Sequence, residues 1–166
     1  MANARDATHI LVGGAVAVVV AGAVAIATGQ PWLFPSLGPA VMLHVEKPRA
    51  PQSSPRSTLI GHVVALLAGY AFLLACGLAD HPSALEEGVS GWRIVAAAGS
   101  LAVTAVVLYL LRASHPPAGA TTLIVSLGLL HTPVQLVVAA ASVLLVTVVD
   151  WAYNRATGRA MPVWAA

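Results

Sequence analysis

Long apolar stretches free of Lys, Arg, Asp and Glu dominate the pattern of this chain. They run over Ile10–Thr28, Thr58–Ala79, Ile94–Leu111 and Pro133–Val149. About 20 consecutive apolar residues in a helix cross a bilayer core, so each stretch predicts a transmembrane helix. Trp92 precedes the third, and Trp151 and Tyr153 follow the fourth, where interfacial anchors are expected. The first stretch follows Arg5 and contains Ala25-Ile26-Ala27, as a secretory signal would. It is longer than the roughly 7–15 apolar residues of a signal core, which favours a retained span.

Two further segments are apolar but interrupted. One runs from Pro31 through Pro35-Ser36-Leu37-Gly38-Pro39-Ala40 to Leu43, the other from Ser114 through Pro116-Pro117-Ala118-Gly119 to Leu130. Clustered Pro and Gly end or forbid helix, yet proline suits a first helical position. Each segment therefore predicts an extended stretch feeding a half-helix that starts after Pro39 or Pro117.

Composition turns this pattern into a membrane protein. Of 166 residues, 58% are hydrophobic and 8% charged, against roughly 25% charged in soluble domains. A soluble core-and-shell protein and a disordered chain are excluded. So is a nucleic-acid binder, because eight basic residues make no basic stripe. The one cysteine, Cys76, excludes a disulfide framework and a cysteine metal site.

Charge placement bears on the number of crossings. If the interrupted segments dip in and return, four spans result. Arg5, Arg93, Arg155 and Arg159 then lie opposite Lys47, Arg49, Arg56 and Arg112. If both cross, six crossings result, and Arg93 alone opposes the other seven. Lys and Arg gather on the cytoplasmic side, so the second count is favoured, with both termini cytoplasmic. The alternative remains four spans plus two re-entrant segments. Span, interrupted segment, span also occurs twice, over about 9–80 and 92–154, and Ser36-Leu37-Gly38-Pro39-Ala40 aligns with Ser114-His115-Pro116-Pro117-Ala118. Three crossings per half would invert one repeat relative to the other, and matching interrupted segments in inverted halves point to a transporter site. The expected organisation is a tail at 1–9, a single transmembrane domain at 10–154 and a tail at 155–166.

The run His115-Pro116-Pro117-Ala118-Gly119-Ala120-Thr121 resembles the signature of the HPP family of integral membrane proteins. Phe34 to Ala40, Pro48-Arg49 and Gly61-His62 resemble that family's first half, and the resemblance covers about residues 10–155. The family is usually described with four membrane helices, from which the six-crossing reading departs. Some members are associated with nitrite transport, so the resemblance implies a transporter of a small anion, with nitrite the first candidate. Nothing in the chain resembles the CBS regulatory domains attached to some members.

The interrupted segments also carry the candidate chemistry. A half-helix starting inside a membrane has backbone N–H groups with no intrahelical partner, and its dipole adds positive potential there. Such N-termini bind anions. The expected donors are Ala40, Val41 and Met42 after Pro39, and Ala118, Gly119 and Ala120 after Pro117. Gly38 and Gly119 would admit a ligand close to the backbone. Ser36, Ser114, Thr121 and Thr122 would add hydroxyls. His115, between Ser114 and Pro116, is either an anion or proton contact near neutral pH or a neutral ring bonding backbone. His62 is a secondary candidate, with interhelical hydrogen bonding its other reading. His44 and His131 are expected at the interface, and His9 and His81 carry no functional expectation.

Small residues at Gly13, Ala17, Ala21 and Ala25, and at Ala96, Ser100 and Thr104, predict seams for internal packing or oligomer contact. Asp150 falls at the end of the last stretch, so no carboxylate is expected within a span. No acid–base pair, phosphate loop or zinc spacing is present, and no enzyme, metal or cofactor is expected. The expected protein is an all-α carrier of a small anion in a bacterial plasma membrane, with the lipid bilayer as its surroundings and homo-oligomers its assembly. A non-transporting membrane assembly subunit is the alternative.

Overall fold

A computed structural model describes residues 3–165. Its helices are α1 (Ala4–Thr28), α2 (Leu37–Glu46), α3 (Pro55–Ala75), α4 (Ala84–Glu87), α5 (Gly91–Leu110), α6 (Pro117–Ser126) and α7 (Pro133–Ala156), with a 3-10 turn at Pro51–Ser53. No strand occurs among the described residues. Helices α1, α3, α5 and α7 are long and apolar enough to cross a membrane, and they coincide with the four uninterrupted stretches. The interrupted segments become α2 and α6, of 10 residues each. At about 1.5 Å per residue, each covers roughly half of a bilayer core.

Local chemistry sets the helix ends. Asn3 accepts from the Asp6 N–H and starts α1 well before the apolar stretch. Ser54 and Ser90 cap α3 and α5, and Thr132 with Gln135 forms a capping box on α7. At the other ends, Gly77, Gly128 and Gly158 have positive φ. The next N–H reaches back to Leu73, Ile124 and Asn154 respectively, which satisfies carbonyls the helix leaves free. Gly77 thus ends α3 ahead of the predicted Ala79.

Small residues let the helices meet closely. Both predicted seams face inward: Gly13, Ala17 and Ala21 on α1, with Ala25 half-buried, and Ala96, Ser100 and Thr104 on α5, which are buried. A third seam was not anticipated. Gly61, Ala65 and Gly69 on α3 are buried, and a Cβ at Gly69 would lie 2.8 Å from Val125 Cβ and 2.9 Å from the Thr122 carbonyl oxygen of α6. The remaining surface is apolar, with Leu11, Val19, Ile26, Leu67, Tyr109 and Val137 exposed, as lipid-facing positions require.

Helix α2 packs with α1 and α7, while α6 packs with α5 and α3; α3 and α7 join the two groups. Side-chain contacts fix which ends meet. His9 of α1, His44 of α2 and Asn154 of α7 are linked at one end, where Arg159 also pairs with Asp6. Arg56 at the start of α3 donates there to the Leu111 and Arg112 carbonyls that close α5. At the other end, buried Arg93 donates to the Pro82 and Ser126 carbonyls, and α4 is tied to the end of α6 by the Ala84 N–H to Leu127 carbonyl bond. Between these ends, the Ser142 hydroxyl of α7 donates to the Trp32 carbonyl in the extended lead-in to α2.

The close α3–α6 approach predicts opposite signs for two glycine substitutions. Gly69→Ala should lower the thermal midpoint in detergent, since overpacking costs about 1–3 kcal/mol against a helix-propensity gain of at most about 1 kcal/mol. Gly14→Ala, whose Cβ would meet nothing within 4 Å, should hold or raise it. Equal midpoints for the two variants would contradict the seam.

Candidate functional site

The starts of the two half-helices are joined by buried polar side chains. Ser36, at the N-terminus of α2, and Thr121, in α6, have hydroxyl oxygens 2.6 Å apart. Thr121 Oγ1 lies 2.7 Å from His62 Nδ1 of α3, and His62 Nε2 lies 3.2 Å from His115 Nε2. His115 Nδ1 is 2.8 Å from the Gln52 carbonyl oxygen.

That carbonyl orients the whole set. It can only accept, so His115 Nδ1 carries a hydrogen and donates to it. With neutral rings, His115 Nε2 then accepts from His62 Nε2–H, and His62 Nδ1 accepts from the Thr121 hydroxyl. Thr121 has spent its one hydrogen, so it accepts from Ser36. Thr122 beside it donates to the Ala118 carbonyl and accepts from Thr104 of α5.

A second buried group adjoins the first. His44 Nδ1 donates to Asp150 Oδ2 at 2.8 Å, and His44 Nε2 is 2.9 Å from Thr58 Oγ1. Thr58 Oγ1 in turn lies 3.5 Å from His115 Nδ1. His44, His62, His115 and Asp150 are each 1% exposed or less. Carboxylate, imidazole and hydroxyl here have the connectivity of a hydrolytic triad. Thr58 is itself only 1% exposed, however. Buried hydroxyl, imidazole and carboxylate groups in such a series suit proton movement.

The structure gathers some of the expected site residues and disperses others. Ser36, His62, His115 and Thr121 form one bonded cluster, and Ala40, Val41, Pro117, Ala118 and Thr122 are buried around it. Gly38, Pro39, Ser114 and Pro116 lie on the exposed surface, with Gly119 and Ala120 half-buried. The backbone donors are also largely occupied. Ala118 and Gly119 donate to the His115 and Pro116 carbonyls, and Leu37 and Gly38 to the Phe34 and Pro35 carbonyls. Helix α2 starts at Leu37 rather than after Pro39, which places Val41 and Met42 past the first turn, where N–H groups bond within the helix.

Two expectations are corrected. His44 is not interfacial but fully buried, and Asp150 lies within α7 against it. The polar ends of α7 and α2 interlock there, with Asn154 donating to the His44 carbonyl, so both helices continue past their apolar stretches. The Asp150–His44–Thr58 group was missed because its members are far apart in sequence. The one available signal was a carboxylate flanked by Val149 and Trp151 in an otherwise helical run.

A cavity of about 390 Å³ between α5 and α6 reaches this cluster, bounded by Thr104, Ser114, His115, Pro116 and Gly119 among others. A larger one of about 790 Å³ lies in the loops at the opposite end, beside Asp80, His81, Glu86 and His131; it does not touch the buried histidines.

Fold and site define an all-helical, multi-pass membrane protein whose interior polar groups collect where two short helices begin. The profile of the HPP transmembrane region matches residues 1–162, and the chain belongs to the HPP family. Comparison with curated proteins and with solved structures returns no match.

The bonded cluster makes a stability prediction. Thr121→Val keeps the side-chain shape but leaves His62 Nδ1 without a donor and Ser36 without an acceptor. Each stranded group costs about 1–3 kcal/mol, so the variant should melt several degrees below wild type, with Thr121→Ser close to it. Melting of Thr121→Val at the wild-type temperature would show that these bonds are not made.

Proposed function

We propose that the protein moves a small inorganic anion across the membrane, with nitrite the first candidate because the family resemblance points to it. One observation carries this reading: Ser36, Thr121, His62 and His115 form a buried polar cluster at the starts of two half-helices inside an apolar bundle. Polar and ionisable groups at membrane depth are costly and mark substrate or ion paths. Interrupted helices that meet near the midplane are a recurrent transporter device. The cluster offers an anion hydroxyl and imidazole N–H donors, and the positive ends of two helix dipoles, without a fixed cation. To bind, the anion takes the place of bonds the cluster now makes to itself, chiefly the Ser36 and Thr121 hydroxyls. The cavity beside His115 and Gly119 supports room for a small ligand at the His115 edge of the cluster.

In this reading both interrupted segments complete a crossing, giving six, and the two halves form an inverted repeat. The contacts at the ends support it. The end of α2 meets the start of α1, and the end of α6 meets the start of α5, so each half-helix returns toward the end its preceding span left. The pairing of α2 with α7 and of α6 with α3 has the exchange expected of two related halves. Arg5, Lys47, Arg49, Arg56, Arg112, Arg155 and Arg159 then share one end, opposite Arg93, which supports cytoplasmic termini. The apolar surface of α1, on which His9, Gly13, Ala17 and Ala21 are the buried residues, supports contact with further copies as well as lipid.

Nitrite flux into proteoliposomes tests the function, with empty liposomes subtracted for leakage of nitrous acid. Wild type should show flux. Ser36→Ala, which removes one donor to a charged ligand worth about 1.5–3 kcal/mol, should slow it about 10- to 100-fold. Absence of flux from well-folded wild type, with nitrite and with other small anions, would leave the assembly-subunit reading in place of transport.

A further inference from the structure

We propose that Ser36, Thr121, His62, His115, Thr58, His44 and Asp150 form one proton path, in which Asp150 holds the proton exchanged with the anion site. The inference rests on the transport reading for its purpose, but not for its geometry. The seven groups come from α2, α3, α6, α7 and the lead-in to α6, and they are joined by consecutive contacts of 2.6, 2.7, 3.2, 3.5, 2.9 and 2.8 Å.

With neutral imidazoles, every hydrogen in this series points the same way. Ser36 donates to Thr121, Thr121 to His62 Nδ1, and His62 Nε2–H to His115 Nε2. His115 Nδ1–H is shared between the Gln52 carbonyl and, at longer range, Thr58 Oγ1. Thr58 donates to His44 Nε2, and His44 Nδ1–H to Asp150. A purely structural network needs its donors satisfied, but it has no need of a single polarity ending on a carboxylate. A proton arriving at Ser36 Oγ displaces one hydrogen at each link, and one proton leaves His44 Nδ1 for Asp150. Ser36 and each group between it and Asp150 take one hydrogen and give one, so Asp150 alone gains, and the reverse passage restores the starting tautomers, in which His115 Nδ1–H again faces the Gln52 carbonyl. The step from His115 to Thr58 is the longest, so it limits the rate.

Asp150 is independently marked as the terminus. Its Oδ1 is buried without a hydrogen-bond partner, so no second donor holds the carboxylate ionised when His44 delivers a proton to Oδ2. The groups around it are few. Helix α2 presents His44 and α3 presents Thr58, while Arg56 of α3 is turned to the carbonyls ending α5. Helix α1 presents His9, bonded to Asn154, and the C-terminal segment presents Arg159, paired with Asp6. No fixed cation among the described residues pairs with Asp150.

Two measurements on the full-length protein test this. In proteoliposomes carrying a pH-sensitive dye, an inward nitrite gradient should drive proton movement in wild type. The protons moved per nitrite should fall about 100-fold in Thr58→Val and in Asp150→Asn, the scale of losing a positioned proton-transfer group. Nitrite flux with no proton movement in wild type would overturn the path and leave the transport reading standing. If no anion is carried at all, acid-induced infrared difference spectra decide the path alone. A protonated-carboxyl band should appear on acidification, vanish in Asp150→Asn and shift its midpoint in Thr58→Val, which leaves the carboxyl untouched. A band unaffected by Asp150→Asn, or one whose midpoint ignores Thr58→Val, would overturn the path. Should Asp150→Asn fail to fold, Thr58→Val, isosteric at the break, carries both tests.

Discussion

A chain broken inside an apolar bundle must find all its hydrogen-bond partners within the protein, because lipid supplies none. Here that constraint acts twice, at the lead-ins to α2 and α6. The lead-in backbone is held by turns of its own and by Ser142 of α7, which donates to the Trp32 carbonyl, while the lead-in side chains Ser36 and His115 bond Thr121 of α6 and His62 of α3. Paired prolines at 116 and 117 remove two N–H groups that would otherwise need partners. The half-helices therefore start with few free backbone donors, and the polarity of the site passes to side chains.

That transfer explains how much of the site was legible in the sequence. The interrupted segments announced themselves through Pro and Gly among apolar residues, and Ser36, His115 and Thr121 stood out within them. Period and composition carried the four long helices as well. Tertiary pairing was not legible. Nothing local distinguishes His44, at the end of α2, from an interfacial histidine until α7 brings Asp150 within 2.8 Å. Gly61 and Gly69 read as ordinary small residues until α6 closes on them. Of the backbone donors expected at a midplane anion site, Ala118 and Gly119 are taken up by turns, and Val41 and Met42 fall past the first turn of α2, local choices that sequence spacing does not encode.

Arginine does different work at the two ends of the bundle. Arg56 caps the closing carbonyls of α5 at the basic end, whereas Arg93 is sealed beneath Pro82, Glu87 and the end of α6 at the acidic one. The second is a buried cation held by carbonyls and one carboxylate, favourable at a helix C-terminus. It weakens the charge asymmetry very little, since Asp80, Glu86 and Glu87 precede it in the same segment, 80–93. The proposed orientation thus draws on the same residues that secure the half-helices.

The proposed transport path depends on both interrupted segments completing a crossing, because only then does each half-helix link the polar junction to one face. Accessibility labelling measures this directly. Single cysteines at Leu85, on α4, and at Ala160, after α7, both exposed, are placed in a Cys76→Ala background and treated in intact cells with an impermeant thiol reagent. Six crossings put them on opposite sides, so Leu85→Cys should react and Ala160→Cys should react only after permeabilisation. Equal reactivity at the two positions would put them on one side, as four spans with re-entrant segments require, and would contradict the account.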